Sequence, residues 1–159
     1  MNALAERVAA ALLKKRAMLA TAESCTGGWA AQALTAIAGS SSWFERGFVT
    51  YSNAAKEEML GVRAQTLSRH GAVSEETARE MALGALAHSR ADIALAITGV
   101  AGPSGGSAEK PVGTVCFAWA AKGAPAHSET LRFTGDREGV RRQSVERALH
   151  GVLELLDAG

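Results

Sequence analysis

The chain has 159 residues, 47% of them hydrophobic, which suffices for the core of one compact domain and makes two independent domains implausible. Seventeen Lys and Arg residues against sixteen Asp and Glu residues leave a formal net charge of +1, which excludes the strong positive field behind nonspecific binding to nucleic acids or anionic membranes. We therefore expect a small-molecule ligand, with neither a nucleic acid nor a membrane as partner.

The N-terminal segment and the cysteines bear on the compartment. Residues 3–16 carry apolar side chains at three- and four-residue steps, interrupted by charges, which is typical of an amphipathic helix and unlike a signal peptide. Every apolar run is far shorter than the roughly 20 residues that span a bilayer. Cys25 and Cys116 lack the spacing of a disulfide framework or a zinc site. We predict a cytoplasmic protein that needs neither a metal nor a cofactor.

Helical and strand patterns alternate along the chain. In chain order, we predict a helix over 3–16, a strand over 18–21, a helix ending near 38, a strand over 43–51, a helix over 54–60, a helix from 75 to about 89, a strand over 93–98, strands over 112–120 and 128–133, and a helix from 137 to about 156. Ser52 or Asn53, Ser74 and Asp136 are expected to cap the helices that follow them. This order predicts an α/β sandwich whose mixed sheet is mostly parallel, with an antiparallel portion near the C-terminus.

Polar or glycine-rich segments follow three of these strands. Ser24, Asn53 and the loop over 99–111 each come after a predicted strand. In α/β sheets, ligands bind where strand ends meet helix starts. The three segments are therefore expected to converge on one edge of the sheet.

Ser24 is the first candidate for chemistry. It lies between a strand and a glycine pair, where its hydroxyl can project from a tight turn and nearby backbone amides can face an oxyanion. Alternatively, Ser24 only caps the next helix. Ala22 and Thr26 occupy the glycine positions of a Gly-x-Ser-x-Gly elbow, which argues against a standard α/β-hydrolase. Cys25 is a competing nucleophile, because a thiolate at a helix start is activated.

A serine nucleophile needs a base, and Lys56 is the best placed candidate. The four histidines lie away from the glycine turns: His70, His88, His127 and His150. A free lysine has a pKa of about 10.4, so Lys56 must lose contact with water to act as a base. The alternative is an ordinary solvated lysine on a helix. Tyr51 can relay a proton or can simply be a strand aromatic.

Two further segments can bind an anion. The loop over 99–111 contains four glycines and two prolines, and its amides can surround a phosphate or an oxyanion, although it matches neither a Walker loop nor a dinucleotide fingerprint. Its alternative is a flexible surface loop. Arg137, Arg141 and Arg142 cluster at the start of the last helix, where they either meet a phosphate or form a solvated basic turn.

Several blocks of this sequence, in the same order, closely resemble the CinA C-terminal domain family. They are residues 22–28 (Ala-Glu-Ser-Cys-Thr-Gly-Gly), 51–53 (Tyr-Ser-Asn) with Lys56, 98–106 from Thr98 to Gly106, and 110–115 (Lys-Pro-Val-Gly-Thr-Val). The resemblance covers essentially the whole chain. It implies a three-layer α/β/α fold over residues 1–159, self-association, and absence of the N-terminal domain of longer CinA proteins. It also implies hydrolysis of nicotinamide mononucleotide to nicotinate mononucleotide and ammonia, in pyridine nucleotide recycling.

The resemblance also implies roles for individual residues. Ser24 would be the nucleophile, Lys56 the general base, and Tyr51 a helper in proton transfer. The substrate would be bound by Thr26, Gly27, Asn53, Thr98, Gly99, Gly102, Gly105, and by Arg141 and Arg142 jointly at the phosphate. Two other functions stay open, namely a non-catalytic nucleotide- or partner-binding module linked to competence or DNA damage, and an amidase for another small amide.

Overall fold

A computed structural model describes residues 1–158 of the chain. Across these residues, five strands form one sheet: β1 (Leu19–Glu23), β2 (Phe44–Val49), β3 (Ile93–Gly99), β4 (Thr114–Ala121) and β5 (His127–Arg132). The helices are α1 (Asn2–Lys15), α2 (Trp29–Thr35), α3 (Asn53–Leu60), α4 (Ala64–His70), α5 (Glu75–Ala87) and α6 (Arg137–Ala158), with a 3₁₀ turn at Ser40–Ser42.

The sheet is mixed, with the strand order β2-β1-β3-β4-β5. Strand β1 pairs in parallel with β2 and β3, whereas β4 runs antiparallel to both β3 and β5. Four of the five strands therefore point the same way. This confirms the predicted α/β fold, the mostly parallel sheet and its antiparallel C-terminal portion.

Helices cover both faces of the sheet, and the two faces differ in side-chain size. Large residues such as Leu95, Phe117 and Trp119 pack against α1, α2 and α6. Alanines of β1, β3 and β4 line the other face, against α3, α4 and α5. Because neighbouring residues of a strand point to opposite faces, this alternation separates two apolar cores. The three layers agree with the fold that the family resemblance implies.

Three predicted helix caps are confirmed. The Ser52 hydroxyl accepts a hydrogen bond from the Ala55 amide at 3.0 Å, and the Ser74 hydroxyl accepts one from the Thr77 amide at 3.1 Å. A carboxylate oxygen of Asp136 accepts one from the Gly139 amide at 2.8 Å. These caps fix where α3, α5 and α6 begin.

The structure corrects several element boundaries. Helix α4 was not predicted, because it is only seven residues long and buries only Thr66 and Leu67, too few to produce a helical apolar period. Helix α2 ends at Thr35, and β2 ends at Val49, so Tyr51 lies beyond the strand. Within residues 1–158, no helix is both long enough and apolar enough to cross a membrane.

Candidate active site

One cavity lies at the carboxyl ends of β1 and β3, at the sheet edge where sequence analysis predicted a site. Its volume is about 340 Å³. The neighbouring positions of β2, β1 and β3 in the sheet bring together the segments that follow them. Eight predicted site residues line the cavity: Ser24, Tyr51, Asn53, Lys56, Thr98, Gly99, Gly102 and Gly105.

Ser24 is held at the first residue after β1. Its amide donates to the Ile97 carbonyl at 2.9 Å, which ties the turn to β3. Its own carbonyl accepts a hydrogen bond from the Gly27 amide at 3.0 Å. Gly27 and Gly28 have φ values of +58° and +104°, a left-handed conformation that side chains disfavour, and the chain reverses there into α2. The serine is 7% exposed, and its hydroxyl is open to the cavity.

Lys56 lies against Ser24. The lysine is on the first turn of α3, as predicted, and it is only 1% exposed. Its Nζ is 3.1 Å from the Ser24 Oγ. In residues 1–158, no Asp or Glu side chain forms an ion pair with this amine. Burial without a counter-charge lowers the pKa of Lys56 below its ordinary value of 10.5.

Three oxygen atoms surround Nζ, so the site fits an ammonium, which donates to all three, and also a neutral amine. The nitrogen is also 3.0 Å from the Thr50 carbonyl and 3.3 Å from the Tyr51 carbonyl. A neutral amine has two N–H donors and one lone pair, so it can donate to both carbonyls and accept the Ser24 hydroxyl proton. The Thr50 amide donates to the Glu23 carbonyl at 2.8 Å, so the carbonyls that hold Lys56 are tied to the strand that carries Ser24.

Cys25, the competing nucleophile, is unsuited to attack. It also borders the cavity and is 6% exposed, about as much as Ser24, so exposure does not distinguish the two residues. Burial raises the pKa of the Cys25 thiol to about 12. At neutral pH the sulfur is therefore a protonated thiol, which is a weak nucleophile.

Tyr51 contacts the pair through its main chain. Its carbonyl lies 3.5 Å from the Ser24 Oγ and 3.3 Å from the Lys56 Nζ. The ring is 63% exposed, and its hydroxyl lies 3.4 Å from a guanidinium nitrogen of Arg137 at the cavity mouth. That the hydroxyl assists proton transfer stays a prediction.

Glu23 is a residue of the site that sequence analysis missed. Its carboxylate is buried and accepts hydrogen bonds from the Thr26 hydroxyl at 2.6 Å, the Ala30 amide at 2.9 Å and the Ala31 amide at 3.0 Å. It therefore caps α2, whose N-cap residue, Gly28, has no side chain. Glu23 lies seven residues before the amide that donates to it, which does not match the spacing of known capping motifs, so the sequence carried no signal for this cap.

The three arginines of α6 have different neighbours. Arg137 lines the cavity and donates to the Gly102 carbonyl at 2.7 Å. Arg141 donates to the carbonyls of Cys25 and Thr26, both at 3.1 Å. Arg142 is exposed and pairs with Glu138 at 3.3 Å.

Four predicted substrate-binding residues lie outside the cavity lining: Thr26, Gly27, Arg141 and Arg142. The first three build or hold the turn after Ser24, since the Thr26 hydroxyl donates to Glu23 and Arg141 binds the turn's carbonyls. Arg137, which was predicted in the same cluster, reaches the cavity instead. Within residues 1–158, no group of three or more His, Cys, Asp or Glu side chains could hold a metal ion.

The chain is similar to several named enzymes. It is 58% identical over 146 residues to the nicotinamide-nucleotide amidohydrolase PncC of Escherichia coli (strain K12), which covers 92% of this chain and 88% of that protein. It is 53% identical over 152 residues to the Pseudomonas putida protein of the same name, covering 96% and 94% of the two chains.

Solved structures share the fold. A CinA superfamily protein from Klebsiella pneumoniae superimposes with a TM-score of 0.95 at 46% identity, over 99% of this chain and 98% of that one. A competence/damage inducible protein from Agrobacterium tumefaciens superimposes with a TM-score of 0.94 at 49% identity, over 98% of this chain and 94% of that one. The sequence profile described as the CinA C-terminal domain matches residues 1–156. The resemblance seen in the sequence is thus confirmed, and the chain belongs to the CinA C-terminal domain family.

Proposed function

We propose that this chain hydrolyses the carboxamide of nicotinamide mononucleotide to nicotinate mononucleotide and ammonia. The observation that carries the proposal is the contact between the buried Lys56 amine and the Ser24 hydroxyl, at 3.1 Å and open to a cavity. The relatives named nicotinamide-nucleotide amidohydrolase supply the substrate class. A nucleophile with its base in contact is the arrangement that amide cleavage requires.

Acylation begins with the proton of Ser24. The neutral amine of Lys56 takes the proton from Oγ, and Oγ attacks the carbonyl carbon of the carboxamide. The carbonyl oxygen becomes an oxyanion. In residues 1–158, the amide of Cys25, a residue that borders the cavity, donates to no protein acceptor, so it is free to bind that oxyanion.

Collapse of the tetrahedral intermediate breaks the C–N bond. The leaving nitrogen takes the proton from Lys56 and departs as ammonia, which leaves an ester between Ser24 and the substrate acyl group. Water then attacks the ester and gives a proton to Lys56, which returns it to Ser24 Oγ as the carboxylate product forms. One water is consumed and the enzyme is regenerated.

Arg137 is our candidate for recognition of the substrate phosphate. It is the first residue of α6, its guanidinium borders the cavity, and the helix N-terminus adds a favourable dipole for an anion. Arg141 is less suited, because its donors are already bound to two main-chain carbonyls. Arg142 faces solvent.

The substitution Arg137→Gln tests this assignment. We expect KM for nicotinamide mononucleotide to rise by about 10- to 100-fold, the range of a lost charged hydrogen bond, while KM for nicotinamide riboside changes little. Steady-state ammonia release from the two substrates measures the effect. Arg7→Gln, which removes an exposed arginine on α1, is the charge-matched control. An equal loss with both substrates would contradict a phosphate contact.

Self-association, which the family resemblance implies, is also part of the proposal. Three large hydrophobic residues are exposed. Val49 at the end of the edge strand β2 is 46% exposed, Tyr51 just beyond that strand is 63% exposed, and Met59 on α3 is 40% exposed. We expect sedimentation equilibrium to give a mass that is a multiple of the 16.5 kDa chain. A mass of one chain across the concentration range would contradict it.

Ammonia release tests the proposed function as a whole. We expect purified protein incubated with nicotinamide mononucleotide to yield ammonia and nicotinate mononucleotide in equal amounts, and to prefer this substrate to nicotinamide riboside and free nicotinamide. Release from a different amide would identify an amidase of other specificity. No ammonia from any amide would favour a binding module.

A further inference from the structure

We infer that Arg141 is a positioning residue: it fixes the peptide groups that follow Ser24, and with them the amide of Cys25, a residue that borders the cavity. The inference rests on the proposed amide hydrolysis and assigns to Arg141 a task other than phosphate binding. The contacts that carry it lie in the turn after Ser24, the residues 24–28.

The amides of this turn differ in whether a protein atom accepts their hydrogen bonds. The Ser24 amide donates to Ile97, and the Gly27 amide donates to the Ser24 carbonyl. Among the buried residues of the turn that the structure describes, Cys25 and Thr26 keep amides without a protein acceptor. Buried amides normally have partners, and of these two residues Cys25 is the one that borders the cavity, so the Cys25 amide is available to a ligand atom.

Arg141 fixes the peptide group that follows Cys25. The Cys25 carbonyl and the Thr26 amide belong to one planar trans peptide group, in which C=O and N–H point to opposite sides. The Nε of Arg141 donates to the Cys25 carbonyl at 3.1 Å. By holding that carbonyl, Arg141 fixes the peptide plane directly after Cys25 and so restricts the backbone of this residue, which borders the cavity. Its Nη2 binds the Thr26 carbonyl at 3.1 Å and fixes the next peptide group in the same way.

The two contacts with the turn suit an arginine rather than a lysine. Two carbonyls on successive residues are bound by two nitrogens of one planar guanidinium, a fork that the single ammonium of lysine cannot reproduce. The contact is close, since a side chain on Gly27 would lie 3.3 Å from the Arg141 Nη2. The Glu23 carboxylate accepts a hydrogen bond from the Thr26 hydroxyl at 2.6 Å. Two side chains therefore fix the turn: the Arg141 guanidinium binds its carbonyls, and the Glu23 carboxylate binds the Thr26 hydroxyl.

Arg147 offers a matched comparison on the same helix. It too packs over a tryptophan, with its guanidinium carbon 5.1 Å from the Trp119 ring centre, as that of Arg141 is 5.7 Å from the Trp29 ring. It pairs with Glu129 and Glu154, far along α6 from the cavity. Its loss removes a similar contact with a tryptophan ring, and ion pairs in place of main-chain hydrogen bonds, without touching the turn.

The experiment compares Arg141→Gln, Arg141→Lys and Arg147→Gln in ammonia release from nicotinamide mononucleotide. Loss of one oxyanion donor costs about 100- to 1000-fold in kcat, and we expect its misalignment in Arg141→Gln to cost about 10- to 100-fold, with KM within about threefold of wild type. Arg141→Lys keeps charge and packing and should lose kcat to a smaller extent. Arg147→Gln should lower Tm but leave kcat unchanged. Added guanidinium ions should partly restore kcat in Arg141→Gln only.

Two results would overturn the inference. A raised KM with unchanged kcat in both Arg141 variants would make Arg141 a substrate-binding residue. Equal kcat losses in Arg141→Lys and Arg147→Gln, without rescue by guanidinium, would make the role of Arg141 structural. If Arg141→Gln does not fold, the Lys variant decides through the same split of kcat and KM. Failure of the proposed function is distinguishable, because wild-type protein would then release no ammonia.

Discussion

Replacing Ser24 with alanine is expected to lower kcat for ammonia release by about a thousandfold or more, with Tm close to that of wild type. Removal of a serine nucleophile abolishes the covalent route and leaves only the modest rate that oxyanion binding and substrate positioning supply. The side chain makes only contacts around the cavity, so the fold should tolerate its loss. Initial rates at saturating nicotinamide mononucleotide measure the effect, and thermal unfolding checks the fold.

Cys25→Ala is the control for this substitution. The thiol is buried and its pKa is raised to about 12, so it is not ionised near neutral pH. We expect kcat to stay within about threefold of wild type, because only a thiolate would attack. The opposite pattern, with activity lost in Cys25→Ala and kept in Ser24→Ala, would make the cysteine the nucleophile.

Lys56 should govern the pH dependence of the reaction. Burial lowers the pKa of its amine below 10.5, and only the neutral amine can accept the Ser24 proton. The rate should therefore rise as pH rises through that lowered pKa, and level off at a pH below the pKa of a free lysine. Lys56→Met should lose about a thousandfold or more in kcat at every pH. A wild-type rate that fell as pH rose over this range would contradict a lysine base.

Two controls separate the base from a fixed positive charge. Lys56→Arg keeps a cation but cannot supply a neutral base, because the guanidinium pKa stays above about 12; it should be as inactive as Lys56→Met. The lowered pKa also affects stability. Between the folded and unfolded pKa values of Lys56, the unfolded chain binds more protons, so the free energy of unfolding should rise with pH there, and this component should vanish in Lys56→Met.

Local sequence patterns determine much of the fold and the place of the serine. Ser74 and Asp136 could be read as caps because their partners lie three residues away. Ser24 could be singled out because a strand, a polar residue and two glycines follow one another within one short segment. Such signals are short-range and need no knowledge of the neighbouring strands.

The setting of Lys56 could not be predicted from its neighbours in sequence. Glu57 and Glu58, the residues that follow it, are exposed, so the pattern around it resembles a solvated helix. Its amine is covered by residues from two other segments. Ser24, just after β1, is 32 residues away in the chain, and Thr50, in the segment before α3, is 6 residues away. Only the assembled sheet brings them over the amine.

The contacts of the arginines of α6 are a second feature that the sequence does not predict. Arg137 and Arg141 are four residues apart and share a helical face, as the spacing indicates. They are nevertheless about 6 Å apart along the helix axis. That displacement lets one reach the loop at Gly102 and the other the turn at Cys25. The spacing in the sequence predicts that the two arginines share a helical face. Which residue each one contacts depends on the loop that lies beside it in the folded chain.

The central claim is that Ser24 carries the substrate as an ester, and trapping that ester with hydroxylamine tests it most directly. An acyl-enzyme has already released ammonia, and hydroxylamine then competes with water for the ester. We predict that added hydroxylamine diverts the product from nicotinate mononucleotide to its hydroxamate, without slowing ammonia release, and that Ser24→Ala forms neither product at an appreciable rate. Ammonia release by wild-type protein with nicotinate mononucleotide as the sole product, at hydroxylamine concentrations that trap other serine esters, would contradict the account.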